Sequence, residues 1–132
     1  MKSASATPAA ARDAMRERHR HGRLAAPTVR THFPGLESLQ LAFEFRDNSG
    51  FLPSPQVTAF HPPASAYFCF ACPYSDCSGE FDLTALVAGA VSSHESRTVG
   101  RLSCTGSRHR GVACTLCLEY SISTHWPSSE RG

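Results

Sequence analysis

The chain has 132 residues, a formal charge of +2, 41% apolar residues and 18% charged ones, which suits one small domain and is too short for a comfortable pair. No segment approaches the roughly 20 continuous apolar residues of a membrane-crossing helix, and the N-terminus has no apolar run of the kind a secretion signal carries. The expectation is a cytoplasmic protein with no membrane contact. Charge is unevenly spread: residues 1–35 carry seven basic side chains against two acids, and residues 36–132 carry six against nine.

Residues 1–33 therefore read as a basic, disordered N-terminal tail. Within it, AAARDAMRERHRH (9–21) consists of good helix formers, but Met15 is its only sizeable apolar side chain, so free in water it predicts a marginal helix. Pro34-Gly35 reads as a turn that opens a domain over residues 34–124, with residues 125–132 as a disordered C-terminal tail.

Ser38 to Arg46 alternates strictly, with Leu39, Leu41, Phe43 and Phe45 on one face, and predicts a half-buried strand. Asp47-Asn48-Ser49-Gly50 reads as a turn leading to a second strand, Gln56 to Phe60. Prolines at 53, 55, 62 and 63 confine that strand to a sheet edge. Ala66 to Ala71 is aromatic-rich and predicts a third strand. One helix follows, with Asp82 as N-cap and Leu83, Leu86, Val87, Ala90 and Val91 at helical spacing. Two more strands, Arg101 to Cys104 and Val112 to Ser123, complete the order β-β-β-α-β-β. The expected fold is α+β: a small antiparallel sheet with one covering helix.

All six cysteines lie between positions 69 and 117. Without a secretion signal, such a cluster points to metal rather than to a disulfide framework. A tetrahedral zinc site needs four thiolates at about 2.3 Å from the ion, usually delivered as two pairs from two tight turns. One choice of pairs is Cys69 and Cys72 with Cys114 and Cys117; the other is Cys72 and Cys77 with Cys104 and Cys114. Strand periodicity favours the second, because residues three apart on a strand point to opposite faces. Gly79 and Gly106 each follow a cysteine by two positions, as a turning knuckle requires, and cross-strand pairing of Cys104 with Cys114 would set Leu102 against Leu116. Cys69 and Cys117 are left as small partly buried side chains, as a redox pair, or as the alternative metal ligands.

The pattern C-P-x-x-x-C-x-G, followed by an L-x-C-x-G strand and a returning cysteine, resembles a zinc-ribbon-type module over about residues 67–120. The resemblance implies a bound Zn2+ and a fold type. Such modules serve nucleic-acid binding, protein contact and plain stabilisation alike.

Four committed thiolates leave no open coordination position, so the expected role of the metal is structural and no catalytic residue is assigned. Of the histidines, His94 sits near the helix C-terminus, His109 at the tip of the second cysteine turn, His61 has no evident partner, and His19, His21 and His32 read as part of the polar run of the tail and its junction. No phosphate-cradling glycine motif is present. Two kinds of partner follow. A protein partner would make the chain an adaptor module; nucleic acid would be met by Arg12, Arg16, Arg18 and Arg20 of the tail and by Arg108 and Arg110 of the loop. A thiol redox or metal-sensing protein, resting on Cys69 and Cys117, is the third reading.

Overall fold

Alternation of apolar and polar side chains in residues 38–46 produces the central strand. The computed structural model describes residues 8–47 and 53–127. In it, β1 (Ser38–Arg46) buries Leu39, Leu41, Phe43 and Phe45 and turns Gln40, Glu44 and Arg46 to solvent. β2 (Gln56–Phe60) pairs with one side of β1 and is exposed except at Phe60, the edge position its neighbouring prolines dictate. The turn expected at 47–50 lies mostly outside the described residues.

On the other side of β1 runs β6 (Cys117–His125), which in turn pairs with β5 (Arg97–Ser103). The result is a four-stranded antiparallel sheet in the order β2-β1-β6-β5. Leu118, Tyr120, Ile122 and Thr124 of β6 share its buried face. A second sheet of two strands, β3 (Cys69–Ala71) and β4 (Glu80–Asp82), packs on that face through aromatic contacts, Phe70 against Phe43 at 4.9 Å and Phe81 against Phe45 at 6.5 Å between ring centroids.

The expected helix is α3 (Thr84–Ser92), which covers the sheet with Val87, Ala90 and Val91. It ends on His94 in the left-handed region (φ 54°), with the His94 amide donating to Val91 O and the Glu95 amide to Ala90 O. That pair of bonds satisfies carbonyls the last turn would leave open. The architecture is α+β, as the sequence implies.

Several local expectations are corrected. The basic tail is not outside the domain: residues 8–25 form α1 (Pro8–Ala25), whose Met15 is fully buried and whose His19 is 5% exposed. A short α2 (Val29–His32) follows, capped by the Thr28 side chain, and places Val29 and Phe33 in the core. Backbone bonds from Val29 N to Ala64 O and from Ala66 N to Pro27 O, both 2.8 Å, tie this entry to the domain. At the other end His125 closes β6 and Trp126 packs on the core, so both belong to the domain. The remaining tail expectations, residues 1–7 and 128–132, lie outside the described residues.

Val112 is 62% exposed, because the last strand begins five residues later, at Cys117. β4 went unread because three residues are too few to show a period. The helix N-cap is Leu83, one place after Asp82, although Asp82 Oδ1 still accepts from the Thr84 amide at 3.0 Å.

Candidate metal centre

The two sheets bring two cysteine turns together. The first closes the β3-β4 hairpin: the Cys72 amide donates to Gly79 O at 3.0 Å, and the Cys77 amide to Tyr74 O at 3.2 Å. The second joins β5 to β6: the Cys104 amide donates to Leu116 O at 2.9 Å, and the Cys114 amide to Gly106 O at 3.0 Å. Cys114 thus opposes Gly106 rather than Cys104, and Leu102 pairs with Leu118 rather than Leu116. The register is displaced by two residues from the expected one, which keeps every side chain on its face.

Both turns have the form Cys-x-Gly, and in each the glycine amide donates to the preceding cysteine sulfur, Gly79 N to Cys77 Sγ at 3.2 Å and Gly106 N to Cys104 Sγ at 3.4 Å. The two glycines meet face to face. A Cβ on Gly79 would collide with Cys104 Sγ, and one on Gly106 would lie 2.8 Å from Cys77 Sγ. Only glycine at both positions lets the turns approach until their sulfurs converge.

Cys72, Cys77, Cys104 and Cys114 are all buried, with their four sulfurs within 4.8 Å of one another. Cys72 Sγ is 3.9 Å from Cys114 Sγ, and Cys77 Sγ is 3.6 Å from Cys104 Sγ. An ion about 2.3 Å from each of four sulfurs requires tetrahedral edges of about 3.8 Å. The four side chains are therefore close enough together to hold a metal ion. The alternative set containing both Cys69 and Cys117 is not brought together among the described residues.

The thiols also polarise one another. Hydrogen bonding from Cys72 pulls the Cys104 thiol below its ordinary value, and the same bond pushes Cys72 up. Burial raises Cys77 and Cys114. A cation that takes these sulfurs therefore competes with protons that burial holds on Cys77 and Cys114.

Around the centre the residues are pinned by charge. Arg12 Nη1, from α1, donates to three carbonyl oxygens of the first turn, those of Cys72 (2.7 Å), Tyr74 (2.9 Å) and Cys77 (2.9 Å). The Arg108 guanidinium lies 3.8 Å above the Tyr74 ring, and its Nε donates to Asp76 Oδ1 at 2.9 Å. Tyr74 OH donates to Asp47, which also accepts from Thr115 Oγ1.

No family model, no curated protein and no solved structure matches the chain. Its functional reading therefore rests on its own residues.

Among the arginines expected to meet nucleic acid, Arg12 and Arg108 hold the cysteine turns. Arg20 Nη2 pairs with Glu17 at 2.5 Å, and Arg18 Nη2 lies 3.7 Å from Glu80. Arg16 lines a cavity beside α1, and Arg110 sits with φ 64° in the 3-10 turn His109–Gly111. Of the histidines, His94 stacks on Trp126 at 3.9 Å, His32 meets the Phe33 ring edge-on, and His21 bonds Glu17 at 2.9 Å. His61 is exposed, and the side chain of His109 lies outside what is described.

Cys117 stands at the start of β6 with Ser103 Oγ 3.8 Å away. Cys69, on β3, has other neighbours: His19 Nε2 at 3.6 Å, with Glu80 beside both. The two cysteines form no disulfide. His19 is the residue sequence reasoning missed. Arg12, Met15, His19 and Gly22 recur at helical spacing, and that face is what α1 presents to the domain; with one large apolar member its signal in the sequence is the charge gathered on the other side of the helix rather than an apolar stripe.

Proposed function

We propose that the chain is a non-catalytic protein-interaction or adaptor module whose fold is held by a structural zinc on Cys72, Cys77, Cys104 and Cys114. The observation that carries this reading is the convergence of four buried sulfurs within 4.8 Å of one another, with two of their separations, 3.9 and 3.6 Å, close to a tetrahedral edge. A donor set of four thiolates suits zinc among the common divalent ions. Four protein ligands leave no position for water or substrate, so the ion supplies folding free energy rather than chemistry.

The surface supports a protein partner over nucleic acid. Across the outer face of the four-stranded sheet, the register sets Val57, Ala42, Ser121 and Val99 in one row. Val57 and Val99 are 62% and 61% exposed, and Glu119 beside the row is bridged by Arg46 and Arg101. An apolar centre with a charged rim is the composition of an interface. Most of the arginines that would meet phosphate are instead spent on carbonyls and carboxylates of the same chain. A redox role for Cys69 is disfavoured too, because burial and the nearby Glu80 push its thiol up to about 12, where little thiolate exists to react.

The test compares binding of the full chain with that of a Val57→Glu, Val99→Glu variant, across a salt series. The reading expects a protein partner whose retention is lost in the variant and changes little with salt. Duplex DNA binding with a log-log slope of about −4.5, as neutralising about five phosphates gives, would replace it with the nucleic-acid reading.

A further inference from the structure

A second group of ligating side chains lies about one helical face away from the cysteine centre, on residues the first site does not use. His19 descends from α1 onto the β3-β4 hairpin, where Cys69 and Glu80 occupy the same face: Cys69 pairs with Asp82, and Glu80 stands two residues along the same strand. His19 Nε2 lies 2.5 Å from Glu80 Oε1 and 3.6 Å from Cys69 Sγ, and one ligand atom of each residue falls within 4.8 Å of the others.

We propose that His19, Cys69 and Glu80 form a second metal site, for a single divalent transition ion such as zinc, with one coordination position open to solvent. Both the thiol and the carboxylate approach the same imidazole nitrogen. In a nucleophile-base-orienter relay they would engage opposite ring nitrogens, so the arrangement lacks the geometry of a cysteine-histidine catalytic pair. Convergence of nitrogen, sulfur and oxygen on one point is instead what a metal requires. For an ion at about 2.3 Å from sulfur and about 2.1 Å from nitrogen and oxygen, tetrahedral edges are about 3.6 Å for sulfur to nitrogen and about 3.4 Å for nitrogen to oxygen. The first already holds. The second is reached when the carboxylate withdraws by about 0.9 Å, and Glu80 has the freedom to do so because its side chain is 36% exposed.

The imidazole is fixed from behind. It is 6% exposed, meets the Tyr67 ring edge-on at 5.8 Å, and rides on a helix anchored by Met15 one turn earlier. A cavity of about 600 Å³, lined by Arg16, Arg20 and Phe70 among others, borders both His19 and Cys69. It opens the imidazole and the thiol to solvent. Three protein ligands and one water make a weaker and more exchangeable site than four thiolates, and they tie α1 to the hairpin that carries the first cysteine turn.

The test is a titration of metal-free, reduced full-length protein with cobalt(II), read by its absorption spectrum, alongside zinc content by native mass spectrometry. The proposal expects two equivalents of cobalt. One shows the strong sulfur-to-metal charge transfer of four thiolates, and the other shows the weaker band of a single thiolate. Cys69→Ser, His19→Gln and Glu80→Gln each remove the second equivalent and leave the first spectrum intact, which also shows that the variant is folded. A chelator strips the second ion first. Saturation of the wild-type chain at one four-thiolate equivalent overturns the proposal, as does retention of two equivalents in Cys69→Ser. Loss of only the four-thiolate band would contradict the structural zinc while leaving this site standing.

Discussion

Two regions adjoin at Arg12 and are held by different physics. In the cysteine centre four buried side chains from two turns converge within 4.8 Å of one another, as the ligands of a single ion would. Along the inner face of α1, one methionine, one buried histidine and one arginine spread their contacts over three turns of helix. The first arrangement is all-or-none, because a tetrahedron missing one ligand loses most of its affinity. The second is additive, and each of its contacts can be removed with a separate, graded cost.

That difference is broken or sharpened by substitution. The largest effect is expected at the centre: Cys72→Ser, Cys77→Ser, Cys104→Ser or Cys114→Ser each forfeits metal binding worth on the order of 10 kcal/mol and unfolds the domain, seen as loss of the cooperative melt and of bound zinc. Cys117→Ser, by contrast, changes stability by less than about 0.5 kcal/mol, as ordinary for a residue outside such a feature.

Next comes Met15→Ala, which opens a cavity under α1 and costs about 2–3 kcal/mol in chemical denaturation. If α1 were a solvated tail, the midpoint would not move. Arg12→Ala leaves three carbonyls of the first cysteine turn without their charged donor and costs about 2 kcal/mol. It should also speed zinc loss to a chelator, while Met15→Ala affects stability more than metal exchange; equal exchange rates in the two variants would erase the distinction between them.

The smallest effect belongs to the exposed side of α1. Hydrogen bonds from Arg20 and His21 hold the Glu17 carboxyl down at about 2. The folded state thus favours the carboxylate, so this contribution is present above the ordinary carboxylate value and is lost as pH falls through about 2. Glu17→Gln should lower the neutral-pH melt slightly and flatten the acid titration of helicity, followed by circular dichroism, by the same small amount, the two proteins converging below about pH 2.

Legibility in the sequence follows the same division. The strand Ser38–Arg46 was readable because one buried face gives period two over nine residues. The clustering of Cys72, Cys77, Cys104 and Cys114 was readable from Gly79 and Gly106, which mark where two turns must touch; strand parity does not bear on Cys114 with Cys117, because the strand begins only at Cys117. The fold of residues 8–33 was hidden, since a helix face made of Arg12, Met15, His19 and Gly22 carries its contacts on polar atoms and on the absence of a side chain. Gly22 is there because any Cβ would collide with the Tyr67 ring. No hydrophobic period records that. The start of β6 was misplaced for a related reason: Val112 and Cys114 continue the alternation of the strand, but the backbone there is committed to the second cysteine turn, closed by the Cys114 amide on Gly106 O.

The central claim is that four thiolates hold one tetrahedral ion. Its most direct measurement is zinc content together with the zinc-edge X-ray absorption spectrum of freshly purified, reduced protein carrying Cys69→Ser, so that only the cysteine centre contributes. The account predicts one zinc per chain with four sulfur neighbours at about 2.3 Å. A folded chain with no metal, or a first shell containing fewer than four sulfurs, would contradict it.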